Sequence, residues 1–404
     1  MEPIYEHEDE TSLELPAEPM RLNMGPSHPA MHGTIKIELE LDGEVVRDLD
    51  IVPGYLHRGF EKSCERGTWT QCFPYVDRLN YVSPMLNNVG FALAVEKLLD
   101  IQVPERCQIY RVILGELARI VDHLTCNAAG SMELGAFTPF LWFVKVRDWL
   151  YDILEQETGA RITHSFGRIG GMAKPPTDGL KAAVRDVLPQ VDNVLAEVHT
   201  TLARNRIFMD RMQGVGCLSQ ERALSLGVTG PMLRATGIDY DVRKATPYSG
   251  YETYDFEIPI GHDGDCYDRF MVRMEEVRQS CRILEQAIAR LPDDGPINVD
   301  DPRIILPEKD EVYTTIEATI AHFKLVMEGI KPPKGAVYSY TEGGNGELGF
   351  YIVSDGSGTP YRVRCRPPCF LNLKAAEDMI RGNMIADVVP IFGSVNMIGG
   401  ECDR

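Results

Sequence analysis

The chain has 404 residues and 44% of them are hydrophobic, so it is long enough to bury a substantial core in one large domain or in several smaller ones. Its formal charge of −19 argues against DNA, RNA or an anionic lipid surface as the main partner, because binding to these requires clustered Lys and Arg. No apolar run approaches the roughly 18 residues of a membrane-spanning helix. The ten cysteines show no regular pairing, which favours reduced thiols in a cytosolic setting over a disulfide framework.

The amino-terminal region combines an acidic tail with a predicted sheet. Its first twenty residues contain seven acidic side chains and no Lys or Arg, the reverse of a signal or transit peptide, so we predict a solvated acidic tail at 1–20. Residues 34–41 alternate apolar and polar side chains, Asp42-Gly43 is a typical hairpin dipeptide, and 44–52 is a second strand candidate. These patterns predict a β-rich region at 21–83.

The middle and the end of the chain differ in their periodicity. From Pro84 onwards apolar residues recur three or four positions apart, which predicts a helical bundle over 84–330. Its further helical patterns cover 141–157, 178–205, 268–290 and 312–328. The carboxy-terminal region, 331–404, contains strand candidates at 336–341, 348–354 and 361–366 and a helix near 375–379. The predicted fold class is therefore α+β.

Three motifs suggest a ligand site but do not fit one. Residues 344–349 match GxGxxG, yet a strand pattern follows where a dinucleotide site needs a helix, so a hairpin loop is predicted. His28 and His32 have the spacing of a zinc helix, but Pro29 separates them and the required Glu is missing. The CxxxC at 365–369 has no second Cys or His pair nearby. No nucleotide or metal site is predicted.

Histidine and tyrosine side chains at loop ends are the candidates for a functional site. His28 and His32 lie in a Pro- and Gly-rich loop just before a strand, and Tyr81 lies just ahead of Pro84, where the first long helix begins. Both side-chain types can hydrogen-bond a substrate and donate protons to it, as two-electron reduction of a quinone requires. From the residues alone, His32 could equally cap a strand, and Tyr81 could be a core residue with a satisfied hydroxyl group.

Eleven sequence blocks carry a resemblance to a known family through their order and spacing. They lie at 25–33, 54–62, 77–84, 92–99, 133–140, 205–211, 230–237, 264–270, 277–286, 351–362 and 384–389, and include GPSHPAMHG, DRLNYVSP and ELGAFTPF. Through them the chain resembles, from Gly25 to Arg404, the D subunit of proton-translocating NADH-quinone oxidoreductase, respiratory complex I. That family is related to the large subunit of nickel–iron hydrogenases, so the resemblance implies a hydrogenase-like arrangement of the α+β fold.

The resemblance implies catalytic roles for three residues. In the family, the residues matched by His32 and Tyr81 hydrogen-bond the quinone head group, so this pair is expected to donate protons to the reduced quinone. Glu133 stands where family members usually carry an aspartate that engages the histidine. A carboxylate is therefore retained, with one more methylene group, and His28 is interpreted as structural.

Three further residues are implied to lie near an iron–sulfur cluster. Arg58 and Arg78 match basic residues of the family beside the terminal cluster, although Asn80 replaces the acidic residue that usually precedes the tyrosine. His164 is a weaker candidate, because many relatives carry a histidine at the position of Thr163 and a shift of one residue points a side chain elsewhere. We hypothesise weaker proton-linked tuning of the cluster and a lower-potential quinone such as menaquinone.

The resemblance also implies cofactors, partners and a location. The substrate would be a quinone, either ubiquinone or menaquinone, and the electrons would come from a 4Fe–4S cluster, which no cysteine spacing here can hold. NAD would bind elsewhere in the complex. The expected partners are the iron–sulfur subunit that carries the cluster, other peripheral-arm subunits and the membrane-arm subunit at the quinone entry. The chain would lie peripherally at the cytoplasmic face of the bacterial cell membrane.

Three alternatives compete with this interpretation. A nickel–iron hydrogenase needs two CxxC pairs, and the sequence contains none, so that alternative is disfavoured. An equivalent subunit of a complex that takes electrons from ferredoxin or F420H2 stays open, because this chain would not contact the donor. A non-catalytic scaffold subunit also stays open.

Overall fold

The computed structural model describes residues 19–29, 31 and 33–404, so the predicted acidic tail at 1–20 lies almost wholly outside the described residues. The strands are β1 (Met20–Met24), β2 (Lys36–Asp42), β3 (Val45–Val52), β4 (Gly167–Arg168), β5 (Gly171–Met172), β6 (Gly335–Gly343), β7 (Gly346–Ser354) and β8 (Arg362–Arg366). The helices of the first half are α1 (Phe60–Cys64), α2 (Phe73–Asp77), α3 (Pro84–Leu99), α4 (Glu105–Glu133), α5 (Phe137–Thr158) and α6 (Leu180–Val198). Those of the second half are α7 (Arg206–Met212), α8 (Gln220–Leu226), α9 (Pro231–Ala235), α10 (Val242–Ala245), α11 (Cys266–Arg290), α12 (Lys309–Thr314), α13 (Ile316–Met327), α14 (Pro368–Ile380), α15 (Ile385–Ser394) and α16 (Gly399–Cys402).

The amino-terminal sheet is antiparallel, with the strand order β1, β2, β3. Along β2 the side chains alternate, so that Ile37, Leu39 and Leu41 are buried while the acidic residues between them are more exposed. Strands β2 and β3 pair up to Asp42 and Val45, which confirms the predicted hairpin. The short helices α1 and α2 follow this sheet and are not predicted by the sequence patterns.

Helix α4 is the centre of the helical region and packs against α3, α5, α11 and α15. Most of its side chains are buried, including several charged ones. Seven of the buried charged residues around it form a set that we call the ion network, namely Glu116, Arg119, Arg234, Asp241, Arg243, Glu276 and Glu342.

Each carboxylate of the ion network contacts an arginine. Arg234 donates from Nε to Glu276 at 2.6 Å and from Nη1 to Glu342 at 2.9 Å. Arg243 donates from Nη2 to Asp241 at 2.7 Å. Such pairing is the condition under which charges are tolerated in a protein interior, because an unpaired charge would lose its hydration without compensation.

The carboxy-terminal sheet consists of β6, β7 and β8, all antiparallel. Gly343 pairs with Gly346, so residues 344–349 contain a tight turn and the start of β7, which confirms the predicted hairpin. Helix α3 packs against this sheet, with Phe91 meeting Phe350 edge to face at 5.5 Å between ring centroids. The predicted strands and the helix of this region are present, as α14 for the helix.

The predicted helix over 312–328 is wrong in one respect, because it is two helices, α12 and α13. Thr315 has extended backbone angles, and its hydroxyl group accepts the Ala318 amide as the cap of α13. No side chain of α13 is buried, and apolar residues such as Ile316, Phe323 and Met327 are exposed. Helix α13 therefore presents an apolar surface that the described chain leaves uncovered.

Helices and small antiparallel sheets together make the fold α+β, as predicted. Within the described ranges, no helix combines the length and the apolar character that crossing a bilayer requires.

Candidate functional site

Tyr81 lies in the loop of residues 78–83, between α2 and α3, which we call the Tyr81 loop. Two residues that flank the tyrosine in this loop are anchored to one carboxylate on α4. Asn80 donates from Nδ2 to Asp122 Oδ2 at 2.7 Å, and Ser83 donates from Oγ to the same oxygen at 2.6 Å. Asn80 Oδ1 accepts the backbone N–H of Val82 at 3.2 Å and closes the turn around Tyr81. The loop is held from both sides before α3 begins at Pro84.

The Tyr81 side chain is 36% exposed, and its ring lies at Gly400. A Cβ atom added to Gly400 would lie 3.4 Å from the ring and 2.3 Å from the backbone oxygen of Arg78. Partial burial raises the pKa of the Tyr81 hydroxyl group, and nearby thiols and Asp122 raise it further. Tyr81 therefore keeps its proton at neutral pH and can donate it.

Residues 393–404, which we call the C-terminal segment, connect several parts of the site. Gly393 lies against Glu133, since a Cβ atom there would be 2.0 Å from the Glu133 Oε2. Asn396 donates to Asp122 Oδ1 at 2.9 Å. Gly400 meets the Tyr81 loop, as described above. The segment thus runs from Glu133 to Tyr81.

Asp122 and Glu133 lie on one face of α4. They are separated by about three helical turns, or about 16 Å along the axis. Glu133 is the last residue of the helix and is partly buried. Because α15 and the C-terminal segment pack along this face, both carboxylates point towards the same strip of chain.

The amino-terminal loop at 25–33 is positioned by close backbone packing. Gly25 has a φ of 101°, and a Cβ atom there would lie 2.1 Å from the Ile35 oxygen, so glycine is required. Met31 is buried in the same core as Met397, and Gly33 lies against Met397, where an added Cβ atom would be 3.2 Å from Cε. This loop therefore reaches the C-terminal segment between its contacts with Glu133 and Tyr81.

Of the two histidines of this loop, only His28 lies among the described residues. His32 lies outside the described residues, so its predicted role stays a prediction. His28 is exposed, and its backbone oxygen accepts the Met31 amide at 3.0 Å; the structural interpretation of its side chain stays a prediction.

Arg58 and Arg78 lie together beside the Tyr81 loop. Arg58 donates from Nη2 to the backbone oxygen of Arg78 at 2.7 Å and to that of Gly400 at 3.4 Å. Partial burial, and then the charge of Arg78, lower the pKa of Arg58. A cavity of about 330 Å³ adjoins this region and is lined by Pro53, Gly54, His57, Gly59, Glu61, Lys62, Phe370, Cys402, Asp403 and Arg404. Two positive charges are therefore brought together at the edge of the site, and the predicted position of both beside a cluster stays a prediction.

His164 is buried in a strained turn, since Thr163 and Ser165 on either side have φ angles of 54° and 43°. Its Nε2 contacts the Arg161 oxygen at 3.3 Å, and burial lowers its pKa to about 4. The turn is fastened to the segment before the Tyr81 loop, because the Ser165 amide donates to Asp77 at 2.6 Å. His164 is therefore a neutral side chain near neutral pH.

A row of buried polar side chains extends from Asp122 and was not recognised in the sequence. Asn396 also donates to Asn345 Oδ1, and Asn345 Nδ2 donates to Cys369 Sγ at 3.0 Å. Cys369 donates from Sγ to Glu401 Oε2 at 3.0 Å. Burial raises the pKa of Glu401 to about 7. Every hydrogen-bond donor that the described residues supply to Asp122 and Glu401 is neutral.

The described residues do not provide a group of three or more His, Cys, Asp or Glu side chains that could hold a metal ion. What the site offers chemically is a protonated phenol and buried carboxylates next to a pair of guanidinium groups.

Comparisons with known proteins agree with this picture. The family model of the respiratory-chain NADH dehydrogenase 49 kDa subunit matches residues 133–404. A D subunit of NADH-quinone oxidoreductase from Sorangium cellulosum is 66% identical over 404 residues, the whole of both chains. The D subunit of the same enzyme from Myxococcus xanthus is 53% identical over 99% of this chain and 96% of its own length. The D subunit from Pelobacter propionicus is 48% identical over 99% of this chain and all of its own length.

The three relatives match across the Tyr81 loop, α4 and the C-terminal segment alike, and together with the family model they confirm the resemblance seen in the sequence blocks. The chain belongs to the family of the 49 kDa, or D, subunit of NADH-quinone oxidoreductase, respiratory complex I.

Proposed function

We propose that this subunit forms the quinone-reduction site of its complex, with Tyr81 and His32 as proton donors to the quinone head group. Conversion of a quinone to a quinol consumes two electrons and two protons, and the protons must reach the two head-group oxygens. A 4Fe–4S cluster held by a neighbouring iron–sulfur subunit would supply the electrons. The chain itself supplies groups that bind the head group and hold protons beside it.

The observation that carries this proposal is the setting of Tyr81. Its side chain is partly exposed and stays protonated, and it lies where the Tyr81 loop, the C-terminal segment and Arg58 meet. A phenol buried in the core would be unreachable for a substrate, and a fully exposed one would not hold a fixed direction. Glu133 lies at the other end of the same segment, and its proposed role is to orient His32 and to return a proton to it.

Arg58 and Arg78 are proposed to face the cluster of the neighbouring subunit, because they place two positive charges beside the tyrosine that receives the head group. His164 is a weaker candidate for this region. The substrate is ubiquinone or menaquinone, and NAD binds elsewhere in the complex. The chain would lie peripherally at the cytoplasmic face of the bacterial cell membrane, beside other peripheral-arm subunits and the membrane-arm subunit at the quinone entry. Quinone reduction would be coupled to proton translocation there.

The test is Tyr81→Phe in the assembled complex, with Tyr75→Phe as the matched control. Tyr75 is an exposed tyrosine six positions earlier, outside the proposed site. Because the variant loses a proton donor, we expect NADH oxidation by decylubiquinone to fall by about 100-fold in Tyr81→Phe. NADH oxidation by ferricyanide, which does not need the quinone site, should be unchanged in both variants.

Equal decylubiquinone activity in Tyr81→Phe and in the wild type would contradict the proposal. It would favour the scaffold alternative. The other alternative, a complex with ferredoxin or F420H2 as donor, is not favoured, because the relatives are named for NADH. Failure of the isolated membranes to oxidise NADH would reopen it.

A further inference from the structure

A buried carboxylate that belongs neither to the sequence motifs nor to the proposed proton donors binds two side chains of the Tyr81 loop. Asp122 is completely buried, and its Oδ2 receives hydrogen bonds from the side chains on both sides of the tyrosine, Asn80 and Ser83. Its other oxygen, Oδ1, receives the Asn396 amide from the C-terminal segment. The Asp122 side chain thus links the Tyr81 loop to the C-terminal segment, the two parts of the chain that meet at the Tyr81 ring.

We propose that Asp122 is a positioning residue for Tyr81, fixing the direction of the tyrosine hydroxyl group by holding the Tyr81 loop against the C-terminal segment. This inference rests on the proposed function of Tyr81 and adds a second residue to it. Asp122 does not touch the substrate in this arrangement. It acts through Asn80, Ser83 and Asn396.

The packing around Asp122 leaves little room for another arrangement. A Cβ atom on Gly344, in the turn between β6 and β7, would lie 2.0 Å from Asp122 Oδ2. The Asp122 carboxylate projects from α4 and therefore lies directly against the hairpin turn, which restricts its rotation. This packing limits the positions that the Asp122 carboxylate can take, and Asn80 and Ser83 of the Tyr81 loop donate to it there.

The hydrogen-bond directions explain why a carboxylate is needed at this position. Asn80, Ser83 and Asn396 all donate, so the group at 122 must accept three hydrogen bonds through two oxygens. An asparagine there has one accepting oxygen and an amide that faces other donors. At least one of the three contacts that join the Tyr81 loop and the C-terminal segment through residue 122 is then lost, and a small displacement of a catalytic group can lower a rate by about 100-fold.

The test exchanges the side chains of Asn80 and Asp122, so that the hydrogen bond between them can form in the opposite direction. Three variants of the assembled complex are compared, Asp122→Asn, Asn80→Asp and the double variant N80D/D122N. In Asp122→Asn two amides face each other, and in Asn80→Asp two carboxylates do. In the double variant the amide at 122 donates to the carboxylate at 80, so the contact is restored with its direction reversed.

We expect the ratio of decylubiquinone to ferricyanide activity, with NADH as donor, to fall at least tenfold in each single variant. In the double variant it should return to within threefold of the wild-type ratio. This recovery is the readout that a general loss of stability would not give. If Asp122→Asn does not assemble, the comparison of Asn80→Asp with the double variant still decides the matter.

Glu157→Gln is the matched control. Glu157 is also a buried carboxylate that accepts only from neutral groups, Tyr110 and Thr177, but it lies in the last turn of α5, away from the Tyr81 loop. The ratio of decylubiquinone to ferricyanide activity in Glu157→Gln should equal that of the wild type. A double variant no better than the single variants, or a single Asp122→Asn variant with more than half of the wild-type ratio, would overturn the positioning role. The proposed function would survive that result if Tyr81→Phe still abolished quinone reduction.

Discussion

The ion network and the surroundings of Tyr81 both bury carboxylates, but they compensate them by different means. In the ion network, arginine side chains form ion pairs with the carboxylates. Burial alone would raise the pKa of Asp241, yet Arg243 and Arg234 outweigh it and hold that pKa at about 2. Beside Tyr81, the buried carboxylates Asp122 and Glu401 accept only from amides, hydroxyl groups and a thiol.

This difference determines which buried carboxylates can gain or lose a proton near neutral pH. Arginine partners outweigh burial and hold the pKa of Glu116, Asp241 and Glu276 below the usual value, so these three carboxylates of the ion network stay ionised near neutral pH. Glu342 differs, because burial and then the charge of Asp241 raise its pKa. Glu401 has neutral donors only, and burial brings its pKa to about 7. The region beside the proposed quinone site therefore contains a group that exchanges a proton near neutral pH, whereas Glu116, Asp241 and Glu276 of the ion network do not.

The largest expected effect comes from breaking the ion network. Arg234→Met keeps the aliphatic stem but leaves Glu276 and Glu342 without their main cationic partner. Removing one partner of a buried ion pair costs about 3–5 kcal/mol. We expect a lower temperature of thermal inactivation and less assembled complex on native gels. A variant as stable as the wild type would show that the network contributes little to the fold.

The second prediction concerns the pH dependence of stability at Glu401. Its pKa is raised from 4.5 to about 7 on folding, so the folded chain holds the proton where the unfolded chain has lost it. The contribution to stability is complete below pH 4.5 and is lost as the pH rises towards 7. By the size of the shift, the loss is about 3 kcal/mol.

Thermal inactivation of wild type and Glu401→Gln, measured between pH 5 and pH 8, checks this sign. We expect the wild type to lose stability relative to the variant as the pH rises, and to level off above pH 7. Glu317→Gln, which changes an exposed carboxylate on α13, is the control. A difference between wild type and Glu401→Gln that is independent of pH would contradict the prediction.

A smaller effect is expected at the contact between the C-terminal segment and the Tyr81 loop. In Gly400→Ala the new Cβ atom would lie 2.3 Å from the Arg78 oxygen and 2.8 Å from the Leu79 oxygen, and both of these are backbone atoms. Relief of such overlap costs about 1–3 kcal/mol and moves the segment away from Tyr81. Decylubiquinone activity should fall more than ferricyanide activity. Gly179→Ala, where an added Cβ atom meets nothing within 4 Å, should change neither.

The smallest effect is expected at an exposed ion pair. Arg303 contacts Asp301 at 2.6 Å, but its side chain is 85% exposed. Solvent screens such a pair, so Arg303→Ala should leave the inactivation temperature unchanged. If Arg303→Ala lowered the inactivation temperature as much as Arg234→Met, exposed and buried ion pairs would contribute equally to stability, contrary to this prediction.

The sequence predicted the parts of the fold that depend on local order. The β2–β3 hairpin follows from alternation and Asp42-Gly43, and α3 follows from apolar spacing after Pro84. The division of 312–328 into two helices was missed, although Thr315 is a favourable cap residue, because the apolar pattern continues across it. Tyr81 was a candidate through its loop-end position and the family blocks, and Glu133 through the family blocks alone; the local pattern left a core role open for Tyr81.

The polar row behind Tyr81 could not be predicted from the sequence. The contact between Asn80 and Asp122 spans 42 residues, and that between Asn396 and Asp122 spans 274. Such contacts depend on how α4, the Tyr81 loop and the C-terminal segment come together, which no periodicity encodes. One signal was present, since Glu116, Arg119 and Asp122 are charged residues within the largely apolar stretch 112–124 of α4. Charged residues in such a helix indicate buried polar partners.

The uncovered apolar surface of α13 has a consequence for handling the isolated chain. Exposed side chains such as Ile316, Phe323 and Met327 favour association between copies, while the net charge of −19 opposes it. Only the second of these is screened by salt, since the Debye length falls to about 10 Å at 0.1 M ionic strength. We therefore expect the separated chain to stay dispersed at low ionic strength and to self-associate as salt is added, which light scattering would reveal.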